Sequence, residues 1–281
     1  MANPSAAPKL FDQAALRARL ARAKRLGAET FLLDAVCNDL DERLGAVLRT
    51  FSGAVDIGTP FGGFRDLLAN RTAGVLHVDP FESDREDLGL AQQSIDLAVS
   101  ALALQFANDL PGVFAQVRRA LKPDGLFLAA MIGGETLTEL RQAFAAAESE
   151  RDGGISPRVA PAIDVRDLGA LLQRAGFALP VTDSDRLIVR YDNAFALMRD
   201  LRKMGATNVL AERRRVPLRR QTLLRMAEIY AERFSDPDRR IRATFDILWL
   251  SGWAPHESQQ KPLRPGSAQA SLADAVKNAK R

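Results

Sequence analysis

The chain has 281 residues, 47% hydrophobic and 26% charged, with a net charge of +4 at neutral pH. That is the profile of a globular protein able to bury its own core. One cysteine, Cys37, and two histidines, His77 and His256, exclude an internal disulfide and argue against a zinc site. No apolar run approaches the roughly 18 residues of a membrane span. Residues 1–8 carry no apolar signal core, so a cytoplasmic protein is expected.

Residues 10–48 read as helices, with apolar positions recurring through Leu16, Leu20, Phe31, Leu32, Val36, Leu40 and Leu44. The acids Asp12, Glu29, Asp34 and Asp39 set this stretch apart from an organelle transit peptide. At Phe51 the period changes. Residues 54–57 predict a strand, 64–69 a helix, 74–78 a second strand and 94–100 a third. An amphipathic helix over 110–121 is expected to stop at Lys122-Pro123-Asp124-Gly125, where the chain turns into a fourth strand over 125–132. Further helices are expected over 135–148 and 167–175, and one or two strands over 181–191. A helix-rich segment over 193–234 precedes a last strand over 243–250. Strands alternating with helices predict an α/β fold whose parallel sheet is covered on both faces.

In Ala54-Val55-Asp56-Ile57-Gly58-Thr59-Pro60-Phe61-Gly62-Gly63 an apolar strand runs into a glycine-bearing turn and then a helix, and the second strand ends at Asp79. This is the layout of a nucleoside-binding α/β fold, in which the turn approaches the ligand and the later acid accepts from ribose hydroxyls. A strand-ending turn of any α/β protein is the competing reading for Asp56 and Gly58. Pro60 stands where a second glycine is expected. It fixes its own φ, lacks an N–H and restricts Thr59, while Phe61 adds bulk, so a bent or filled pocket is predicted. His77 lies inside an apolar strand and reads as a packed core histidine. Asp84, Glu86 and Asp87 read as a solvated acidic loop, with contact between Asp84 and an adenine amine as the alternative. Between Arg199 and Arg242 basic residues outnumber acidic ones. A solvated helical face is the plain reading; an acidic protein or an anionic membrane surface are the partners such a face could meet. Aromatics are not interleaved there, which argues against nucleic acid. No Gly-x-Ser-x-Gly elbow, phosphate loop or His-Glu-x-x-His helix is present.

Several motifs carry a resemblance. Val55-Asp56-Ile57-Gly58, Ser94-Ile95-Asp96-Leu97 and Leu121-Lys122-Pro123-Asp124-Gly125-Leu126 resemble the class I S-adenosylmethionine-dependent methyltransferases. Ser100-Ala101-Leu102-Ala103-Leu104-Gln105-Phe106, Gly133-Gly134-Glu135-Thr136-Leu137, Met204-Gly205-Ala206-Thr207-Asn208 and residues 252–260 are similar to one subgroup. That subgroup contains the complex I assembly factor that hydroxylates an arginine, and is related to the biotin-pathway malonyl-carrier-protein methyltransferases.

The resemblance implies a Rossmann-like sheet with an N-terminal helical cap (1–50), a methyltransferase core (51–192) and a basic helical insertion (193–242). The last strand with its C-terminal signature (243–264) and a tail (265–281) follow. It implies S-adenosylmethionine as cofactor, held by Asp56, Gly58, Gly62, Asp79, Ala101 and Leu102. It implies Gln105 facing substrate, and Trp253 and His256 meeting substrate or partner. The function implied is action on a protein subunit in respiratory complex I assembly, peripheral to the inner membrane. A non-catalytic scaffold with a degenerate cofactor site is the alternative. The chain departs from the family in one further respect. Asp79 is followed so closely by the strand at Ser94 that one edge helix–strand unit is expected to be missing.

Overall fold

The structure, a computed structural model, describes residues 9–83 and 85–260. The reading of Asp84, that of residues 1–8 and that of the tail lie outside the described residues.

Helix α1 (Gln13–Arg25) begins where the Asp12 carboxylate accepts from Ala15 N, satisfying a donor that the first turn leaves open. Helix α2 (Phe31–Gly45) buries Leu32, Leu33, Val36, Cys37, Leu40 and Leu44 along one stripe. Strand β1 (Ala54–Ile57) is buried throughout. A short 3₁₀ turn (Pro60–Gly62), α3 (Arg65–Ala69) and β2 (Val75–Val78) follow. Then come β3 (Ile95–Ala101), a 3₁₀ turn (Leu104–Phe106), α4 (Leu110–Ala120) and β4 (Leu121–Ile132). Helices α5 (Thr138–Asp152) and α6 (Val165–Arg174) precede the single long β5 (Ala178–Tyr191). Helices α7 (Ala194–Lys203) and α8 (Arg220–Phe234) lead into β6 (Ile241–Trp253).

The six strands form one sheet in the order β2-β1-β3-β4-β6-β5. Pairings among β2, β1, β3 and β4 are parallel, whereas β6 runs antiparallel to both β4 and β5. The expected parallel sheet is present in β2, β1, β3 and β4, and β6 adds to it in the antiparallel sense, reached through α7 and α8 and lying between β4 and β5. The expected turn at residues 122–125 is corrected. These residues form an irregularity within β4, whose pairing steps from Ile95↔Leu121 to Leu97↔Leu126. Helices α2, α3, α5, α7 and α8 bury their apolar sides in one core, and α4 and α6 in a second on the opposite face. The basic segment thus supplies Leu197, Leu201, Met226, Ile229 and Tyr230 to the core shared by α2 and α5.

Strand β2 ends the sheet, with no strand outside it among the described residues. The missing edge unit explains why Leu76 is 54% exposed. It also corrects the reading of His77, which is exposed on this uncovered edge rather than packed in a core.

The chain crosses from β2 to β3 without helix or strand over the described residues between them. What fastens this crossover is Glu86, which is 3% exposed and so corrects its reading as solvated. Its carboxylate accepts from Gln13 Nε2 at 2.8 Å, Asn108 N at 2.7 Å and Asp109 N at 2.9 Å. Its own carbonyl accepts from Gln116 Nε2 at 3.0 Å. Asp87 is exposed, as expected. Removing a buried carboxylate strands the donors that faced it. Glu86→Ala is expected to lower unfolding free energy by about 3 kcal/mol in urea titration, against under ~0.5 kcal/mol for Asp87→Ala.

Candidate functional site at the strand exits

The carboxyl ends of the first three strands are tied together by side chains at their tips. Ser100 Oγ donates to Ile57 O at 2.7 Å, and Ala101 N donates to the buried Thr59 Oγ1 at 3.0 Å. Gly58 N donates to Val78 O at 2.8 Å. Asp56, Gly58, Asp79, Ala101 and Leu102 therefore share one end of the sheet. Gly62, with φ +73 and open space where a side chain would stand, lies beside them.

Gly58 has φ +70, and a Cβ there would lie 3.1 Å from Pro80 Cδ and 3.2 Å from Ala103 Cβ, with Phe81 Cε2 at 3.6 Å. Only glycine fits. The group it makes way for is the chain itself. Pro80 and Phe81 are buried. Phe81 N donates to Asp79 Oδ1 at 2.8 Å, and the Arg17 guanidinium donates to Phe81 O. The side chains that pack against Gly58 are those of Pro80 and Phe81, not that of Phe61.

Phe61 instead lines a neighbouring cavity of about 440 Å³, bounded by the strand exits, α2, the start of α5 and the end of α7. This falls in the size range of small-molecule sites, roughly 300–1,000 Å³. Three lining residues other than glycine hold left-handed backbone: Phe61 at φ 59, Leu102 at φ 51 and Leu137 at φ 53. Each such residue costs on the order of 1–3 kcal/mol, and strain of this kind gathers where a ligand or partner is handled. Gln105 is on the wall. Its Nε2 donates to Leu102 O at 2.7 Å, while its Oε1 is buried without a donor. Glu29 is on the same lining.

Asp56 is buried, and its Oδ2 lies 3.0 Å from His77 Nδ1, while Oδ1 meets no hydrogen bond of ordinary geometry. Burial pushes its carboxyl pKa up, partly offset by Thr59 and His77. Cys37, behind it, is pushed up to about 12 by burial and then by Asp56 and Asp34, so its thiol is unreactive at neutral pH. The dyad escaped the sequence reading because His77 was placed in a core; the signal available was the 21-residue spacing of two adjacent strands.

Trp253 and His256 lie elsewhere. Trp253 pairs with Leu126, whereas the strand exit is at Ile132. Six residues separate these ends of β4, about 20 Å at ~3.3 Å per residue. There the Arg49 guanidinium stacks 5.2 Å from the Trp253 ring and pairs with Asp124. Gln259 Nε2 donates to Asp124 Oδ1 at 2.9 Å and to Ala254 O at 2.8 Å. Although burial pushes the Asp124 carboxyl up, Gln259 and Arg49 hold it below the usual range. The exposed His256 ring meets Ser258 Oγ at 2.7 Å. The C-terminal signature thus clasps the irregularity in β4 and does not join the strand-exit residues.

The residues that the resemblance assigns to S-adenosylmethionine share one end of the sheet, where Pro80 and Phe81 pack beside Gly58. Phe81 had no motif to mark it.

The order of strands, the antiparallel β6 and the glycine turn after β1 define a methyltransferase fold. Residues 63–129 match the family described as Methyltransferase domain, and the Bacillus subtilis YcgJ protein shares the fold. That structure superposes with a TM-score of 0.52 over 79% of this chain and 99% of its own, at 14% identity. The arginine-hydroxylase NDUFAF5, mitochondrial, of Danio rerio is 38% identical over 265 residues, 88% of this chain and 82% of that one. Its Homo sapiens counterpart is 37% identical over 265 residues, covering 88% and 76%. A malonyl-[acyl-carrier protein] O-methyltransferase of Laribacter hongkongensis is 38% identical over 207 residues, covering 74% and 65%. The chain belongs to the family of the NDUFAF5 arginine hydroxylases.

The raised pKa of Asp56 sets a sign. A folded carboxyl titrating above the ~3.9 of an unfolded aspartate holds its proton more tightly when native. Its contribution therefore favours folding in acid and is lost as pH rises through the native pKa. Wild-type protein is expected to lose stability relative to Asp56→Asn in urea titrations as pH rises above about 4. Parallel profiles would contradict this.

Proposed function

We propose that this protein acts on a subunit of respiratory complex I during its assembly, as a class I S-adenosylmethionine-dependent methyltransferase-family protein. The observation that carries the reading is the colinear match to the arginine hydroxylases over 265 residues, 88% of the chain. The strained, apolar cavity at the strand exits supports it. In this reading Gln105, with its unused buried acceptor, meets a side chain of the subunit, and Trp253 and His256 stand on a separate face that the partner covers. Asp56, Gly58, Gly62, Asp79, Ala101 and Leu102 form the family's cofactor position. Among the described residues no helix is long and apolar enough to cross a membrane. A cytoplasmic location, with the basic helical segment against the inner membrane, is part of the proposal.

A second reading is favoured by the Pro80–Phe81 filling over Gly58. In it the fold persists as a scaffold that binds the subunit without turning over an adenosyl cofactor. Calorimetric titration with S-adenosylmethionine separates the two. Micromolar binding abolished by Asp79→Ala supports an enzyme, and absence of heat at millimolar ligand supports the scaffold. Both require that deletion of the gene deplete assembled complex I on native gels and that the wild-type chain restore it. Normal complex I in the deletion strain would refute the proposal.

A further inference from the structure

The cavity at the strand exits adjoins a second one of about 470 Å³, and the two share Arg158, Thr207 and Asn208 in their walls. The inner cavity is walled mainly by side chains such as Leu20, Leu102, Phe144, Met198 and Val209. The outer one is walled by Arg19, Arg158, Arg213, Arg214 and Arg215 with the two shared polar residues, and by no carboxylate.

Three of these arginines are neutralised from behind. Arg158 pairs with the buried Glu148, Arg213 with Asp12 at 2.9 Å, and Arg214 with Asp152 at 3.8 Å. Arg19 and Arg215 have no ion pair among the described residues, and neither does Arg202 on the inner wall. Arg19 Nε is buried without an acceptor. Burial, followed by repulsion from Arg22, Arg213 and Arg202, weakens Arg19's hold on its proton, and Asp12 offsets this in part. Guanidinium groups in excess of the nearby carboxylates Asp12 and Glu29, beside an apolar lumen, suit an anion carried on a hydrocarbon chain. A guanidinium cluster binds phosphate or carboxylate oxygens through charge-assisted hydrogen bonds, and the chain gains by leaving water.

We propose that these adjoining cavities bind a single-chain anionic amphiphile, its chain in the apolar lumen and its carboxylate or phosphate head among Arg19, Arg202 and Arg215. Gly58 and Asp79 are not in its lining, but Leu102 and Gln105 are, so the amphiphile and the subunit side chain of the proposed function would occupy the lumen in turn. A membrane-embedded lipid and a free acyl compound present the same chemistry, and the test tells them apart.

Dodecyl phosphate, held below its micelle concentration, is titrated into the full chain by calorimetry. Dodecyltrimethylammonium, inorganic phosphate and vesicles containing anionic phospholipid are run in parallel. One equivalent of dodecyl phosphate is expected to bind at least roughly tenfold more tightly than the cationic analogue or inorganic phosphate. The double variant Arg19→Ala/Arg215→Ala is expected to lose about tenfold in affinity with its thermal midpoint unchanged. Ala160→Trp, which fills the lumen wall, is expected to weaken dodecyl phosphate while leaving inorganic phosphate binding as it was. Equal affinity for the cationic analogue, an unaltered double variant, or binding to vesicles with none to the monomeric amphiphile would each overturn the proposal.

Discussion

The crossing from β2 to β3 governs the site. The chain must pass beneath the sheet edge in a short span that holds no helix or strand, and it does so by laying Pro80 and Phe81 over Gly58. Three donors on Glu86 then lock the far part of the crossing onto α1 and the start of α4. A carboxylate buried among backbone and amide N–H groups is a strong anchor, because undoing it leaves several buried groups unpaired at once.

That constraint moves the open volume. The cavity lies at the strand exits, walled by Phe61, Leu102 and Leu137 in left-handed conformations that only firm surroundings can maintain. The surroundings are firm: Ser100 and Thr59 stitch β1 to β3, and α7 and α8 complete the core that α2 and α5 begin. At the other end of β4 a second clasp, built from Arg49, Asp124, Trp253 and Gln259, holds the last strand in register. The two ends of the sheet thus carry different duties, one fixing the fold and one presenting a cavity with charged walls.

Much of this was legible in the residues. Alternating apolar runs located every strand, the glycine after Ile57 marked the turn, and the short span between Asp79 and Ser94 announced the missing edge unit. The antiparallel β6 was not legible, because a strand's direction depends on what the preceding helices pack against and not on its own pattern. His77 misled for a related reason. Its neighbours Leu76 and Val78 are apolar, but the deletion that uncovers β2 turns an apolar pattern into an exposed edge. Glu86 reads as one acid among several, and only three-dimensional closure shows which acid is buried. Phe61 was visible as bulk in the turn, yet the ring that packs against Gly58 comes from Phe81, two residues past Asp79, where no local signal points inward. The arginines of the outer cavity were countable, but their convergence from α1, the stretch after α5 and the segment between α7 and α8 is a product of the fold.

The central claim is that the chain's own Pro80 and Phe81 occupy the space over Gly58. A crystal structure grown in saturating S-adenosylhomocysteine tests it directly. The account predicts the Phe81 ring against Gly58, with no nucleoside density at the tips of β1 and β2. An adenine ring bound there, with residues 80–83 displaced and the ribose on Asp79, would contradict it.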